Sequence, residues 1–213
     1  HVSTAGSVAL IAAARARGAH VTAEVTPHHL TLTHEEVAFG ADYQSARYIT
    51  NAKVNPPLRE EADLEALAIA LRDGVIDCIA TDHAPHSVAD KEIEFDLASP
   101  GLTMLETSFG LCMKLVHDGR VPLPTLIERL TIGPVRAWGL DRRPGLEGIG
   151  TLAPGALGDV ALLDPNADWT VDPSTFASRG RNTPLGGREL RGRVVATIFG
   201  GRLVHETDRV VAL

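Results

Sequence analysis

Cysteine is scarce in this chain: Cys78 and Cys112 are the two present among 213 residues. Two are too few for a disulfide framework, which points to a reducing compartment. Aromatic residues are also few, at 4%. Apolar residues nonetheless reach 44% and charged residues 22%, ordinary values for a globular chain. A disordered tail and a collagen-like repeat are excluded on that ground. No apolar run approaches the roughly 18 residues that a membrane span needs, and no signal-peptide pattern is present. A Walker loop, a GxGxxG turn and a GxSxG elbow are all missing. Twenty Lys and Arg against 27 Asp and Glu leave a net charge of −7, which argues against a general nucleic-acid surface. The expectation is a cytoplasmic chain with neither nucleic acid nor membrane as partner. An initiator methionine is missing too: the chain opens His1-Val2-Ser3-Thr4, as the interior of a longer sequence would.

What is there reads first as α/β. Residues 5–18 carry a helical pattern that stops at Gly18. The β-branched run 20–26 predicts a strand ended by Pro27. Residues 31–52 predict a long loop holding one short helix, with Thr33 and Glu36 as a capping box. Residues 60–73 predict an amphipathic helix through Leu64, Leu67, Ala68 and Leu71, closed by Gly74. The continuous apolar run 75–81 predicts a strand buried on both faces, the mark of a parallel sheet. Helices at 102–117, 122–131 and 134–139 follow. After Leu140 glycine and proline become frequent, and short apolar runs at 159–163, 193–199, 203–205 and 209–213 predict strands. An α/β part therefore precedes a short β-rich part, with a boundary near residues 140–150. A complete (β/α)₈ barrel takes about 250 residues, more than the α/β part has.

The chemistry concentrates in Ala80-Thr81-Asp82-His83-Ala84-Pro85-His86. A buried strand ends directly in a carboxylate and two imidazoles, and in α/β folds reactive groups sit just past the carboxyl ends of strands. Asp82 there can ligate a metal and exchange a proton. The plainer alternative is a loop Asp that caps the next turn, with solvated histidines. His28-His29 follow another strand end; in extended chain they point to opposite sides, so one packed and one bonded to backbone is the favoured arrangement. His1 precedes Ser3-Thr4, a cap for the first helix, and so lies at a loop mouth. His20, His34, His117 and His205 read as surface or core residues, and Cys78 and Cys112 as small hydrophobes. Lys53-Val54-Asn55-Pro56-Pro57-Leu58-Arg59 is a rigid segment in which proline forces Asn55 out of the α region. It suits recognition of a planar amide or imide ring, or serves as a plain interdomain turn.

In order along the chain stand His1-Val2-Ser3-Thr4, Glu24-Val25-Thr26-Pro27-His28-His29-Leu30, Lys53 to Arg59, Ala80 to His86, Leu105-Glu106-Thr107, Gly158-Asp159-Val160-Ala161 and Arg181-Asn182-Thr183-Pro184. End to end, this resembles the carboxyl-terminal half of class I dihydroorotase, of the cyclic amidohydrolase superfamily. Related hydantoinases and allantoinases typically carry a Cys where this chain has Thr26.

The resemblance implies a (β/α)₈ barrel with a small β domain. Residues 1–145 would be the part of the barrel holding about strands six to eight, and residues 146–213 strands of the composite β domain. It implies that His1 ligates one zinc, and that Asp82 touches a second zinc and is the catalytic base. It further implies that Asn55 and His86 contact the substrate, as does the backbone of Pro100-Gly101. The substrate would be dihydroorotate, hydrolysed reversibly to N-carbamoyl-L-aspartate in pyrimidine biosynthesis, with two Zn²⁺ in the intact site. Two cations beside Asp82 would depress its pKa. The remaining zinc ligands of the family have no counterpart here, so the 213-residue chain alone is expected to be inactive. Three alternatives stand beside this reading: a hydantoinase- or allantoinase-type cyclic amidase, a non-catalytic partner of aspartate carbamoyltransferase, and an α/β binding module without catalysis. A homodimer is a further possibility.

Overall fold

A computed structural model describes residues 1–39 and 47–207. Helix α1 (Ala5–Ala16) starts where Thr4 accepts a hydrogen bond from the Ser7 N–H, at 3.1 Å. Arg15 then ties its end to the sheet. The guanidinium donates to the carbonyls of Val21 and Gly74 and pairs with Asp77. The Asp77 carboxylate also accepts the Ala23 N–H at 2.7 Å. The chain then enters β1 (Glu24–Val25), turns through α2 (Pro27–Thr31) and a 3₁₀ turn at His34–Val37, and reaches β2 (Ala38–Phe39). Strand β3 (Arg47–Tyr48) pairs antiparallel with β2. A second 3₁₀ turn at Thr50–Ala52 leads to α3 (Glu61–Asp73), which ends at Gly74 in the left-handed region. Strand β4 (Cys78–Ile79) pairs parallel with β1 in the register Glu24↔Cys78 and Val25↔Ile79. This is the parallel unit expected, with α3 as its crossover.

Beyond it come α4 (Val88–Lys91), α5 (Ser108–His117), α6 (Leu123–Leu130) and α7 (Ile132–Trp138). An antiparallel sheet of β5 (Val160–Thr170), β6 (Glu189–Phe199) and β7 (Arg202–Glu206), in that order, completes the described chain. The strand expected at 209–213 lies outside the described residues. One core gathers Val25, Leu30, Leu71, Ile79, Met113 and Leu126 beneath the parallel pair. A second gathers Leu58, Leu102, Met104, Leu111, Phe176 and Leu185, joining the loops after the strands to the segment that precedes β6.

Several expectations change. The strands expected at 20–26 and 75–81 are each two residues long, because the ladder exists only where β1 and β4 run side by side. His28 and His29 are helical rather than extended: Thr26 caps α2, its hydroxyl accepting the His29 N–H, and Pro27 takes the first helical position, where its missing N–H costs nothing. Thr33 makes no side-chain cap; Glu36 instead forms a bidentate ion pair with Arg188. The helix expected from 102 begins at Ser108, because residues 101–103 form an extended strap. Its N–H groups go to Lys53 O and Asn182 O, and Leu102 bridges to His83. Helix α4, with a capping box of Ser87 and Asp90, was not anticipated.

Candidate active site

The site grows from the carboxyl ends of the two parallel strands. Ala80 N–H donates to Val25 O, at 3.0 Å, and extends the pairing one step beyond β4. Two residues later Asp82 takes φ = 48°. This left-handed conformation is one that Asp and Asn tolerate better than most residues. On the other side Val2 N–H donates to Glu24 O at 2.9 Å, which places His1 beside β1. The outcome is a short chain of side chains. His1 Nδ1 is 2.6 Å from Glu24 Oε1, and His1 Nε2 is 3.4 Å from Asp82 Oδ1. All three side chains are partly buried. Burial holds the Asp82 carboxyl above the ordinary carboxylate range, with nearby His29 pulling it the other way. The depressed pKa expected from two cations is therefore not a property of the protein groups alone.

His29 uses both ring nitrogens within the fold. Nε2–H donates to Pro56 O at 2.8 Å, while Nδ1 accepts from the Thr26 hydroxyl at 2.7 Å. Burial, partly opposed by the Pro56 bond, lowers its pKa, so the ring is held as one neutral tautomer. His28 is fully buried against it. One histidine is packed and the other bonded to backbone, on a helix rather than in extended chain. His83 Nδ1 accepts both the Met104 and Leu105 N–H groups at 3.1 Å. It fixes the turn that follows the strap, and its Nε2 lies 3.4 Å from Ser178 Oγ.

The residues expected at the substrate fall into a second group. His86 Nε2–H donates to Pro100 O at 3.1 Å, which joins two of them into one unit. Gly101, with φ = 129°, is held by its N–H on Lys53 O at 2.8 Å. A Cβ there would lie 2.6 Å from Ala84 Cβ, so only glycine fits. Asn55 lies two residues beyond Lys53, exposed, before a cis peptide bond to Pro56. Thr50, Asn51, His86, Lys91 and Arg181 line a cavity of about 170 Å³ beside the strap.

Three residues without an assigned role in the sequence reading turn out to hold this geometry. Asn182 Nδ2 donates to Ala84 O and Gly101 O, and its Oδ1 accepts from His86 N–H and the Thr103 hydroxyl. Buried Lys91 donates to Ser99 O and Gly101 O; burial lowers its pKa to about 8. Glu24 holds His1. Its signal in the sequence was a lone carboxylate inside a β-branched run.

A metal fits the first group in kind. His1 Nε2 and Asp82 Oδ1 are nitrogen and oxygen donors of the type zinc takes, and a tetrahedral zinc with bonds of about 2.1 Å separates its donors by about 3.4 Å. Donors at the observed spacing can share an ion or serve neighbouring ones. Among the described residues no cluster of three or more His, Cys, Asp or Glu could hold a metal by itself, so this chain offers part of a ligand set.

The amidohydrolase family model matches residues 1–204. The chain belongs to the amidohydrolase family. Among proteins of curated sequence, it is similar to the dihydroorotase of Anaeromyxobacter dehalogenans, 51% identical over 209 residues, which are 98% of this chain and 45% of that protein. The dihydroorotase of Pelotomaculum thermopropionicum is 49% identical over 212 residues, 99% of this chain and 46% of that protein. This amidohydrolase chain thus spans about half the length of the curated relatives it matches, consistent with the carboxyl-terminal half read from its motifs. Among solved structures, the L-hydantoinase of Arthrobacter aurescens superposes with a TM-score of 0.83 at 30% identity, covering 100% of this chain and 45% of that one. The dihydropyrimidinase of Brevibacillus agri NCHU1002, at 24% identity and TM-score 0.82, covers 99% of this chain and 45% of its own and shares the fold. The α/β architecture corresponds to part of the larger amidohydrolase fold of those structures.

Proposed function

We propose that the protein is a metal-dependent dihydroorotase, hydrolysing (S)-dihydroorotate reversibly to N-carbamoyl-L-aspartate in pyrimidine biosynthesis. The observation that carries this is the convergence of His1 Nε2 and Asp82 Oδ1, 3.4 Å apart, at the carboxyl ends of parallel strands, in a chain that aligns with dihydroorotases along 98% of its length. In this reading residues 1–145 contribute about strands six to eight of the barrel, and residues 146–213 contribute to a small β domain. The intact site would hold two zinc ions, and the protein would work in the cytoplasm.

His1 and Asp82 would hold the metal. Bound zinc supplies Lewis acidity, making water a better nucleophile near neutral pH and polarising the ring carbonyl. Asp82 does the proton work. It accepts a proton from the attacking water as the C–O bond forms, and returns it to the ring nitrogen as the C–N bond breaks. The bonds from Asn182 and Lys91 set the strap on which Pro100-Gly101 presents its backbone. His86, tied to Pro100 O, and Asn55, beyond the segment that holds Gly101, orient the ring and its carboxylate. Such positioning contributes several kcal/mol to lowering a barrier.

The test is Asp82→Asn in the protein expressed from its complete gene. Asn accepts the φ of 48°, so the fold is expected to persist while hydrolysis falls by more than about 10²-fold. Near-normal rates would overturn Asp82 as the base. The similarity to an L-hydantoinase structure supports a second reading, a hydantoin-type cyclic amidase. Hydantoin lacks the carboxylate of dihydroorotate, so comparing turnover of the two rings separates the readings.

A further inference from the structure

An imidazole that binds a metal through one nitrogen has to place the proton of the other. The usual acceptor is a carboxylate or a carbonyl, which fixes both the tautomer and the ring plane. His1 has this arrangement on the side away from Asp82: its Nδ1 is 2.6 Å from Glu24 Oε1. A carboxylate only accepts, so Nδ1 carries a proton toward Glu24, while Nε2 lies on the side of Asp82 Oδ1, where a bound metal would take its lone pair. Glu24 also holds the backbone beside this ring, since its carbonyl accepts the Val2 N–H at 2.9 Å. One strand residue thereby sets the position of His1 twice, through main chain and side chain. Its own place is rigid, paired in register with Cys78 of β4. The side chains of His1 and Glu24 are 26% and 24% exposed, dry enough for the contact to be more than a solvated surface pair.

We propose that Glu24 is the positioning residue of His1: it fixes the Nδ1–H tautomer and aims Nε2 into the metal site. The inference rests on the reading of His1 as a metal ligand. Glu24 touches no substrate in this role. It acts by keeping the imidazole in one orientation and by raising its donor strength.

The experiment measures zinc affinity by chelator competition in the protein expressed from its complete gene, for wild type, His1→Ala, Glu24→Ala and Glu24→Gln. The expected result is loss of a zinc ion in His1→Ala, weakening of about 10- to 100-fold in Glu24→Ala, and partial recovery in Glu24→Gln, which keeps an acceptor. The Nδ1–H proton signal of the His1 ring in the zinc-loaded protein gives a readout that folding alone does not move. It is expected downfield and slow to exchange in wild type, and lost to fast exchange in Glu24→Ala. Wild-type affinity and an unchanged Nδ1–H signal in Glu24→Ala, with zinc lost in His1→Ala, would overturn the role of Glu24. Undiminished zinc affinity in His1→Ala would remove the metal reading itself, and the proposal with it.

Discussion

His28 shows how much one buried side chain governs. It is completely enclosed, and neither ring nitrogen has a partner among the described residues. Burial, with the neighbouring His29 second, lowers its pKa to about 3, against about 6.5 in an unfolded chain. Between those values the unfolded chain binds a proton that the folded chain refuses. Stability is therefore complete above about pH 6.5 and is lost as pH falls toward 3. At 1.36 kcal/mol per unit, moving from pH 7 to pH 5 should cost wild type about 2 kcal/mol from this residue. His28→Leu is expected to lack that loss and to be at least as stable at pH 7, since an unpartnered buried polar group costs about 1–3 kcal/mol. Urea unfolding of both proteins at the two pH values measures it; equal acid losses would contradict it. The sequence reading could place His28 after a strand, but not on a helix. The Thr26-Pro27 pair that starts α2 is also a plausible strand end, and only the packing of Leu30 into the first core decides between them.

At the scale of elements, the site depends on Asn182. Its amide joins the loop after β4 to the strap at 101–103, using all its hydrogen-bonding capacity in a position 5% exposed. The approach is tight on the same side, because a Cβ on Gly180 would lie 2.5 Å from Pro85 Cβ. Asn182→Ala leaves buried N–H, hydroxyl and carbonyl groups unpaired. It is expected to cost roughly 2–4 kcal/mol of stability and, under the roles proposed above, to raise KM more than it lowers kcat in the protein expressed from its complete gene, because His86 and Pro100-Gly101 lose their register while Asp82 does not. Denaturant unfolding together with steady-state kinetics tests this; a kcat loss with unchanged KM would count against it. The residues His86, Pro100 and Gly101 could be singled out from motifs. The amide that binds them together could not, because it lies 98 residues beyond Ala84 and no periodicity connects the two. The same limit applies to Glu36. Three residues after Thr33 it has the spacing of a capping box, yet its carboxylate goes to Arg188, 152 residues away.

At the scale of the whole molecule, the antiparallel sheet carries exposed Leu162, Phe199, Leu203 and Val204, and α1 exposes Leu10. Leu203 and Val204, successive along β7, point to opposite sides, so both faces of this sheet carry exposed apolar side chains. Expressed alone as 213 residues, the polypeptide is expected to self-associate, to bind zinc weakly and to show no hydrolysis of dihydroorotate, since a catalytic zinc needs about three protein ligands. Light scattering, metal content and a turnover assay test it together; a monodisperse monomer with two zinc ions and activity would refute it. The sequence by itself determined the α/β-then-β order, the helix stop at Gly74 and the position of Asp82 just past a buried strand. These follow from hydrophobic periodicity, the backbone freedom of glycine and the abrupt change from apolar run to charge, all of which are local. Only the tertiary structure decided that the strands pair over two residues, that Glu24 faces His1 and that Asn182 ties the strap. Each of those depends on which groups meet across distant parts of the chain, and a hydrogen-bond partner is chosen by proximity in space, which the order of residues does not state.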